Sequence, residues 1–189
     1  MGLNEWAYAL SESLLSEPLP RRWAHSLGVA KRARSLRPIL GGDAELLEAA
    51  AVLHDIGYSP AIAATGFHPL DGARFLREQE RADERVVSLV AHHSCALLEA
   101  EERGLRGELE GEFALERPEL VDALLYCDMT TTPDGTQTTP AERLDEIVQR
   151  YGPDTIVGRF IQRAAPEIHA ASARVEGRLE RADAGAQPR

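Results

Sequence analysis

The amino-acid sequence predicts an all-α fold, built as a single compact multi-helix bundle. Three observations lead to this prediction. Apolar residues recur at helical spacing in one segment after another, and Pro and Gly separate these segments. No segment alternates apolar and polar residues over the length of a strand. The chain of 189 residues is long enough for one hydrophobic core, and it contains no internal repeat.

The first half of the chain contains four predicted helices, over residues 4–16, 21–36, 43–57 and 69–80. Pro18 and Pro20 separate the first two, since Pro ends one helix and is tolerated in the first turn of the next. Asp43 is expected to cap the third helix. Residues 59–67 are rich in Pro, Gly and Thr and indicate a loop before the fourth helix.

The second half predicts helices that begin after Asp83 and at Pro118, Pro140, Pro153 and Pro166. Residues 96–103 either continue the helix after Asp83 or start a new one. Residues 104–117 are charged and contain Gly, which favours an exposed connection with a short helical turn. The tetrapeptide Thr139-Pro-Ala-Glu142 is a capping box. Residues 182–189 are expected to form a frayed tail.

We expect all of these elements to belong to one domain. Residues 1–19 would form an N-terminal helix, residues 20–150 the functional core, and residues 151–189 the C-terminal helices and tail. The apolar C-terminal helices would serve a homodimer as well as they would serve a core.

Composition excludes several classes of function. A net charge of −10 argues against a broad nucleic-acid surface. No apolar run approaches the roughly 20 residues that span a membrane, and the first 16 residues lack the basic start of a signal peptide. Cys95 and Cys127 lie in separate apolar stretches, which favours two free thiols over a disulfide. We therefore expect a cytoplasmic protein.

Histidines and buried acids are the candidate functional residues. Five of the six histidines lie between residues 25 and 93. Asp55 and Asp128 each lie in an apolar helical stretch, where an acid is costly unless it is paired or metal-bound. Taken alone, each residue has a simpler explanation, such as a helix cap or a hydrogen-bonded core histidine. Their joint occurrence favours a metal site, because His and carboxylate together bind Mn, Fe, Zn and similar ions.

The joint pattern resembles the HD superfamily of metal-dependent phosphohydrolases. The matching residues are His25 in Arg-Trp-Ala-His-Ser, the His54-Asp55-Ile-Gly segment, and Asp128, and the resemblance covers roughly residues 20–150. The Phe-His68-Pro segment and the Val-Ala-His-His segment ending at His93 are similar to the HDIG and HD-GYP branch of that superfamily.

The resemblance implies a site for two divalent metal ions, with Fe, Mn, Mg, Co and Ni all compatible with mixed ligands. It implies that the first ion is held by His25, His54, Asp55 and Asp128. Asp55 would bridge to a second ion held by His68 and His92, with the role of His93 left open. Whether both members of the pair bind is left open, because adjacent helical residues diverge by about 100° and the alternative for one of them is to face the substrate. The resemblance also implies that His54 and Asp55 are catalytic.

The sequence departs from that branch in two places. Tyr58 stands where a phosphate-binding Lys often follows the His-Asp-Ile-Gly motif, and no Gly-Tyr-Pro segment follows His93. Hydrolysis of cyclic di-nucleotides is therefore not expected. The candidate substrate contacts are Arg21, Arg22, Lys31, Tyr58, Arg74, Thr131 with its neighbours Thr130 and Thr132, and Arg143.

The predicted function is a metal-dependent phosphohydrolase that cleaves a phosphoester or phosphoanhydride of a nucleotide or small phosphorylated metabolite with a metal-activated water. Two alternatives stay open. Some HD proteins with four His and two Asp ligands hold a mixed-valent di-iron centre and use O₂ to oxidise C–H or C–P bonds. A metal-retaining nucleotide-binding module without turnover is the other.

Overall fold

The computed structural model describes residues 2–186 and confirms the all-α prediction. Its α-helices are α1 (Leu3–Leu15), α2 (Pro20–Ser35), α3 (Arg37–Leu40), α4 (Ala44–Leu53), α5 (His68–Glu78), α6 (Glu84–Ala91), α7 (Ala96–Arg103), α8 (Arg106–Glu112), α9 (Pro118–Met129), α10 (Pro140–Tyr151) and α11 (Ile156–Ala186). Short 3₁₀ turns cover Gly41–Asp43, Ile56–Tyr58 and His93–Cys95. Within residues 2–186 the extended pairing is limited to a single bridge between Thr131 and Gln137.

Helix α4 lies at the centre of the bundle. Every residue of α4 except Glu45 is buried, and an apolar surface on all sides is typical of a helix surrounded by other elements. Helices α1, α2, α6 and α9 pack around it. The chain leaves α4 at His54 and Asp55, so this dipeptide is placed in the interior of the bundle.

The C-terminal helix differs from the prediction. Pro166 was expected to start a new helix, but it lies inside the continuous helix α11. Pro166 cannot donate the helical hydrogen bond to the carbonyl of Gln162. Ala164 and Ile168, on either side of Pro166, are fully buried in the cluster that α11 forms with α9 and α10, and this packing keeps the helix continuous. The apolar face of α11 is thus used within the chain.

The predicted helix ends have mixed outcomes. Asp83 caps α6 through Arg85 N at 2.8 Å, and the capping box at Thr139 opens α10. Asp43 precedes α4 but makes no capping hydrogen bond; its carboxylate instead binds the side chains of Arg85 and Arg117. Two stabilising cations draw this carboxylate away from the helix end.

Three further outcomes concern the loops, the tail and the cysteines. Residues 96–103 form a new helix, because the chain turns between α6 and α7. The predicted tail is helical as far as Ala186, and residues 187–189 lie outside the described residues. Cys95 and Cys127 are free thiols, as predicted. None of the helices in the described part of the chain combines the length and apolarity needed to cross a bilayer.

Candidate metal centre

Side chains from five helices converge where α4 ends. His25 lies in the middle of α2, His54 and Asp55 follow α4, and His68 is the first residue of α5. His93 follows α6 after one intervening residue, and Asp128 lies in the last turn of α9. These side chains are almost completely buried. The exposed fraction of the side chain is 11% or less in His25, His54, Asp55, His68 and Asp128. They form two neighbouring triads, His25–His54–Asp128 and Asp55–His68–His93, and in each the ligand atoms lie within 4.8 Å of one another.

In the first triad, one carboxylate oxygen faces both histidines. Asp128 Oδ1 lies 2.9 Å from His25 Nε2 and 4.0 Å from His54 Nε2. The other oxygen, Oδ2, accepts a hydrogen bond from the hydroxyl of Ser94. This bond fixes the rotation of the carboxylate, so that Oδ1 points into the triad.

In the second triad, His68 Nε2 lies 3.0 Å from His93 Nε2 and 3.4 Å from Asp55 Oδ1. The remaining oxygen, Asp55 Oδ2, lies 3.4 Å from His54 Nε2. The two oxygens of Asp55 therefore face different triads, and this single carboxylate links the two groups.

The contacts of the outer ring nitrogens indicate which nitrogen of each histidine carries the proton. Nδ1 of His25, His54 and His93 lies 2.9, 2.7 and 2.6 Å from the carbonyl oxygens of Thr132, Ala51 and Val90, respectively. A carbonyl only accepts hydrogen bonds, so each Nδ1 carries the proton and each Nε2 offers a lone pair to the interior. Hydrogen bonding of the outer nitrogen to a backbone carbonyl is the usual arrangement around a metal-bound histidine.

One interior ring nitrogen of the first triad lacks a protein partner in the described part of the chain. His54 Nε2 is buried and has no hydrogen-bond partner among the described residues. An unpartnered buried acceptor is costly in a folded protein. A divalent cation held by imidazole nitrogens and carboxylate oxygens would satisfy it, so the donor set fits metal ions.

The surrounding charges and burial favour the protonation state in which each Asp and His binds a metal. Burial would raise the pKa of Asp55, but the charge of Arg22 and the neighbouring histidines hold that pKa well below its usual range. Burial is likewise outweighed at Asp128, whose pKa is lowered by its close contact with His25, by the neighbouring His54 and by the charge of Arg143. Burial also lowers the pKa of His68 and His93. Charged carboxylates and neutral imidazoles are the forms that bind metals.

A stacked group of three side chains forms one wall of the site. Arg22 Nη1 lies 2.5 Å from Asp55 Oδ2, and its guanidinium carbon lies 3.6 Å from the centre of the Tyr58 ring. The other face of Tyr58 stacks on His68, with ring centres 3.9 Å apart and planes inclined by 17°. Tyr58 thus occupies the place of the expected Lys and packs between a cation and a histidine.

The structure brings His93, not His92, into the site. His92 Nε2 lies 2.8 Å from the carbonyl oxygen of Phe113, and His92 belongs to neither triad. The assignment of His92 as a second-ion ligand is therefore corrected to His93. Helix α6 ends at Ala91, and His92 has φ −111° and ψ 13°, so the two side chains point in different directions.

Four predicted substrate contacts lie outside the site. Arg74 pairs with Glu108 and Glu112 of α8, and exposed Lys31 lies on α2 away from both triads. Each stands six residues after a site histidine, which is about 240° around the helix. The Thr131 hydroxyl donates to the carbonyl of Cys127, and exposed Arg21 pairs with Asp134 at 2.7 Å.

Arg143 and Arg22 do line the site, and the structure adds residues that sequence reasoning missed. Together they surround a cleft of about 70 Å³ beside the triads. The added residues are Ser94, Glu99, Arg150, Tyr151, Phe160 and Ile161. Ser94 follows the paired histidines directly, which is the one local signal that pointed to it. The others come from α7, α10 and α11, far from any motif.

Glu99 is the missed acid of this cleft. It is only 5% exposed and accepts hydrogen bonds from Arg103 at 2.7 and 2.8 Å, both at Oε1. Burial raises the pKa of Glu99, although the charge of Arg103 opposes this effect. Its position one helical turn before Arg103 on α7 explains why the pair forms.

The helical bundle with its buried His-Asp cluster is the arrangement expected of an HD domain. The HD domain family model matches residues 22–149. The chain belongs to the HD domain family. The match begins at Arg22 and includes every residue of the two triads.

Curated relatives match a shorter segment. The chain is 39% identical over 70 residues to Ribonuclease Y of Rubrobacter xylanophilus and 37% identical over 70 residues to Ribonuclease Y of Aliarcobacter butzleri. It is 36% identical over 69 residues to Ribonuclease Y of Rhodopirellula baltica. These matches cover 36–37% of this chain but only 13–14% of the relatives. No solved structure matches.

Proposed function

We propose that this protein is a metal-dependent phosphohydrolase with a dinuclear centre. The observation that supports it most directly is the placement of Asp55 between two buried His-carboxylate triads. Its two oxygens lie 3.4 Å from His54 Nε2 and 3.4 Å from His68 Nε2. A bridging carboxylate of this kind suits two-metal hydrolytic sites.

The two triads support a division of the ligands between two ions. His25, His54 and Asp128 would hold one ion, His68 and His93 the other, and Asp55 would contact both. When bound, such ions lower the pKa of a water molecule and offset negative charge on phosphoryl oxygens. The assignment carries six protein ligands, which leaves coordination positions for water and substrate.

The protein supplies a positive lining for a phosphoryl group. Arg22 and Arg143 both line the cleft beside the triads. A guanidinium presents a planar fork of N–H donors that matches two phosphoryl oxygens. Phe160 and Ile161 also line the cleft and would exclude bulk water from the reacting group. The proposed substrate is a small phosphoester or phosphoanhydride.

A small substrate is proposed even though the relatives are ribonucleases. The matched segment is about one seventh of those proteins, and the net charge of −10 disfavours a long polyanion on this chain. An RNA oligonucleotide in the substrate panel would test this choice. A cytoplasmic location stays a prediction.

The test is metal analysis and a phosphoester panel on protein purified without a chelator. We expect about two divalent ions per chain, and turnover of at least one phosphorylated compound. Asp55→Ala should lose both metal and turnover, whereas His169→Ala, which removes an exposed histidine of α11, should keep both. Full turnover by metal-free Asp55→Ala protein would contradict the proposal.

A second candidate rests on the composition of the two triads, which together contain four His and two Asp. This is the ligand count of the mixed-valent di-iron oxygenases of the HD superfamily named above. Iron analysis with electron paramagnetic resonance, combined with oxygen uptake, distinguishes the two chemistries. Full turnover with redox-inactive Mg would support hydrolysis. Nucleotide binding without turnover of any compound would instead indicate a binding module.

A further inference from the structure

An outer cavity of about 310 Å³ adjoins the cleft beside the triads. Arg22, Arg143 and Arg150 line both spaces, so the two lie on either side of the same three side chains. The volume is at the lower end of the range for small-molecule pockets, roughly 300–1,000 Å³. A ligand whose reacting phosphate lies by the triads would therefore extend into this cavity.

The outer cavity is positively lined in an acidic protein. Four of its nine lining residues are arginines and none is acidic, although the chain as a whole carries a net charge of −10. Of the other five residues, His25 belongs to the first triad, and Leu19 with the three prolines at positions 18, 20 and 133 forms apolar walls. Arginines beside apolar walls indicate a ligand with an anionic group attached to a less polar body.

Arg143 has donors left for such a ligand. It is 7% exposed, its Nη1 donates to Glu146, and its buried Nε has no hydrogen-bond partner among the described residues. A guanidinium has five N–H donors, and an unmet buried donor is costly. Arg143 and Asp128 line the same inner cleft, so Arg143 lies close to the first triad.

Arg150 extends this positive surface outward. It lies seven residues after Arg143 on α10, so both side chains share one face of the helix. Arg150 Nε lies 3.2 Å from Glu146 Oε1, and Glu146 also accepts from Arg143. Two guanidiniums share one carboxylate, so this group keeps a net charge of +1 at the junction of the two cavities. Arg22 also lines both spaces, but its guanidinium is already engaged by Asp55.

We propose that Arg143 and Arg150 form a subsite for a second phosphate, so that the preferred substrates are phosphoanhydrides of the nucleoside diphosphate or triphosphate class. The terminal phosphate would lie beside the triads, the next phosphate on Arg143 and Arg150, and the nucleoside against the apolar walls of the outer cavity. This inference rests on the proposed hydrolase function for the position of the first phosphate.

The test compares ligands that differ by one phosphate and are not hydrolysed. Isothermal titration of metal-loaded protein would use α,β-methylene adenosine diphosphate, methylenediphosphonate and a phosphonate analogue of adenosine monophosphate, in which a methylene group replaces the ester oxygen. We expect the methylene diphosphate to bind at least about tenfold more tightly than the monophosphate, because its second phosphate accepts charge-assisted hydrogen bonds that the monophosphate lacks. Methylenediphosphonate should bind more weakly than the nucleotide, because it lacks the nucleoside.

Variants then assign the difference to the subsite. Arg150→Gln should lose about tenfold in affinity for the methylene diphosphate and about twofold or less for the monophosphate. Arg143→Gln should weaken binding of both ligands, and of the diphosphate more strongly, because Arg143 also lines the inner cleft. Arg37→Gln removes an exposed arginine of α3 that lines neither cavity and should leave both affinities unchanged. Arg150→Gln is the second variant because Arg150 is exposed and its loss should not disturb folding.

The outcomes separate this inference from the proposed function. Equal binding of the two nucleotides by the wild type, or equal losses for both in the variants, overturns the second-phosphate subsite while metal-dependent turnover still stands. Selective diphosphate binding without turnover of any phosphorylated compound supports the subsite and contradicts the hydrolase.

Discussion

The ring of Tyr58 lies flat against the ring of His68, with centres 3.9 Å apart. The stack fixes the plane of an imidazole whose Nε2 faces Asp55 and His93 at 3.4 and 3.0 Å. Arg22 covers the other face of Tyr58. An aromatic residue at this position therefore orients a candidate ligand, which is a different contribution from the phosphate contact that a Lys would make.

Replacing Tyr58 by Ala should weaken metal binding at the second triad. The stack contributes about 0.5–1.5 kcal/mol beyond burial, and residues that orient ligands affect metal affinity by about 10–100-fold. We expect a loss of about tenfold at one of two sites, measured by competition with a metal-sensitive dye. Tyr58→Phe keeps the stack and serves as the control. Equal weakening in both variants would show that the hydroxyl, rather than the ring, matters.

Ser94 is expected to stabilise the other triad. Its hydroxyl donates to Asp128 Oδ2, and its φ of 49° lies in the left-handed region. Ser94→Ala and Ser94→Gly both remove the hydrogen bond and should lower metal affinity at the first triad by about tenfold. Gly adopts positive φ more readily, so Ser94→Gly should be more stable than Ser94→Ala by about 1 kcal/mol.

These two variants separate backbone from side-chain effects at Ser94. Calorimetric metal titration measures the affinity, and urea unfolding measures the stability. Wild-type metal affinity in Ser94→Gly would show that the hydroxyl does not position Asp128. A matched control is Ser13→Ala, which removes an exposed hydroxyl that binds only the carbonyl of Leu10.

The metal-free protein should lose stability as the pH falls from 7.5 to 5.5. Burial holds the pKa of His68 and His93 below the usual value of 6.5. In this range the unfolded chain takes up protons that the folded chain does not, so acid favours unfolding, by up to about 1.4 kcal/mol per pH unit for each histidine. The lowered pKa values of Asp55 and Asp128 act in the same direction, but only below about pH 4.

Urea unfolding of chelator-treated protein at several pH values measures this dependence. His93→Gln should show a smaller slope between pH 5.5 and 7.5 than the wild type. His169→Gln, at an exposed position of α11, should keep the wild-type slope. An unchanged slope in His93→Gln would mean that His93 is protonated to the same extent in both states.

The linear motifs located most of the candidate site, because the residues around each one face the bundle interior. His25, the His54-Asp55 pair, His68 and Asp128 all lie in the two triads. The motifs identify the candidate ligands along the chain. The packing of the other helices around α4 then brings these ligands together. The fold class could be predicted from helical periodicity, because apolar residues at helical spacing face the core.

Other features depend on contacts that no local pattern encodes. Helical spacing could not distinguish His92 from His93, because α6 ends at Ala91 and the chain turns at Ser94 and Cys95, which both have positive φ. The distant carbonyl of Phe113 binds His92. The two arginines of α10 join the site only through the packing of α10 beside α9 and α11.

Gly57 shows how a motif position follows from packing. A Cβ on Gly57 would lie 1.9 Å from the carbonyl oxygen of His68, so only Gly allows α5 to begin this close to the end of α4. Gly57→Ala should therefore separate His68 from Asp55 and destabilise the fold by about 2–4 kcal/mol. Metal at the second triad should be lost first.

The matched control is Gly107→Ala in α8, where an added Cβ meets nothing within 4 Å. Ala is the better helix former, so this change should be neutral or stabilising by up to about 1 kcal/mol. Thermal unfolding and metal content of the two variants measure the difference. If Gly57→Ala retained both wild-type stability and two bound ions, the close approach of Gly57 and His68 would not be needed to build the site.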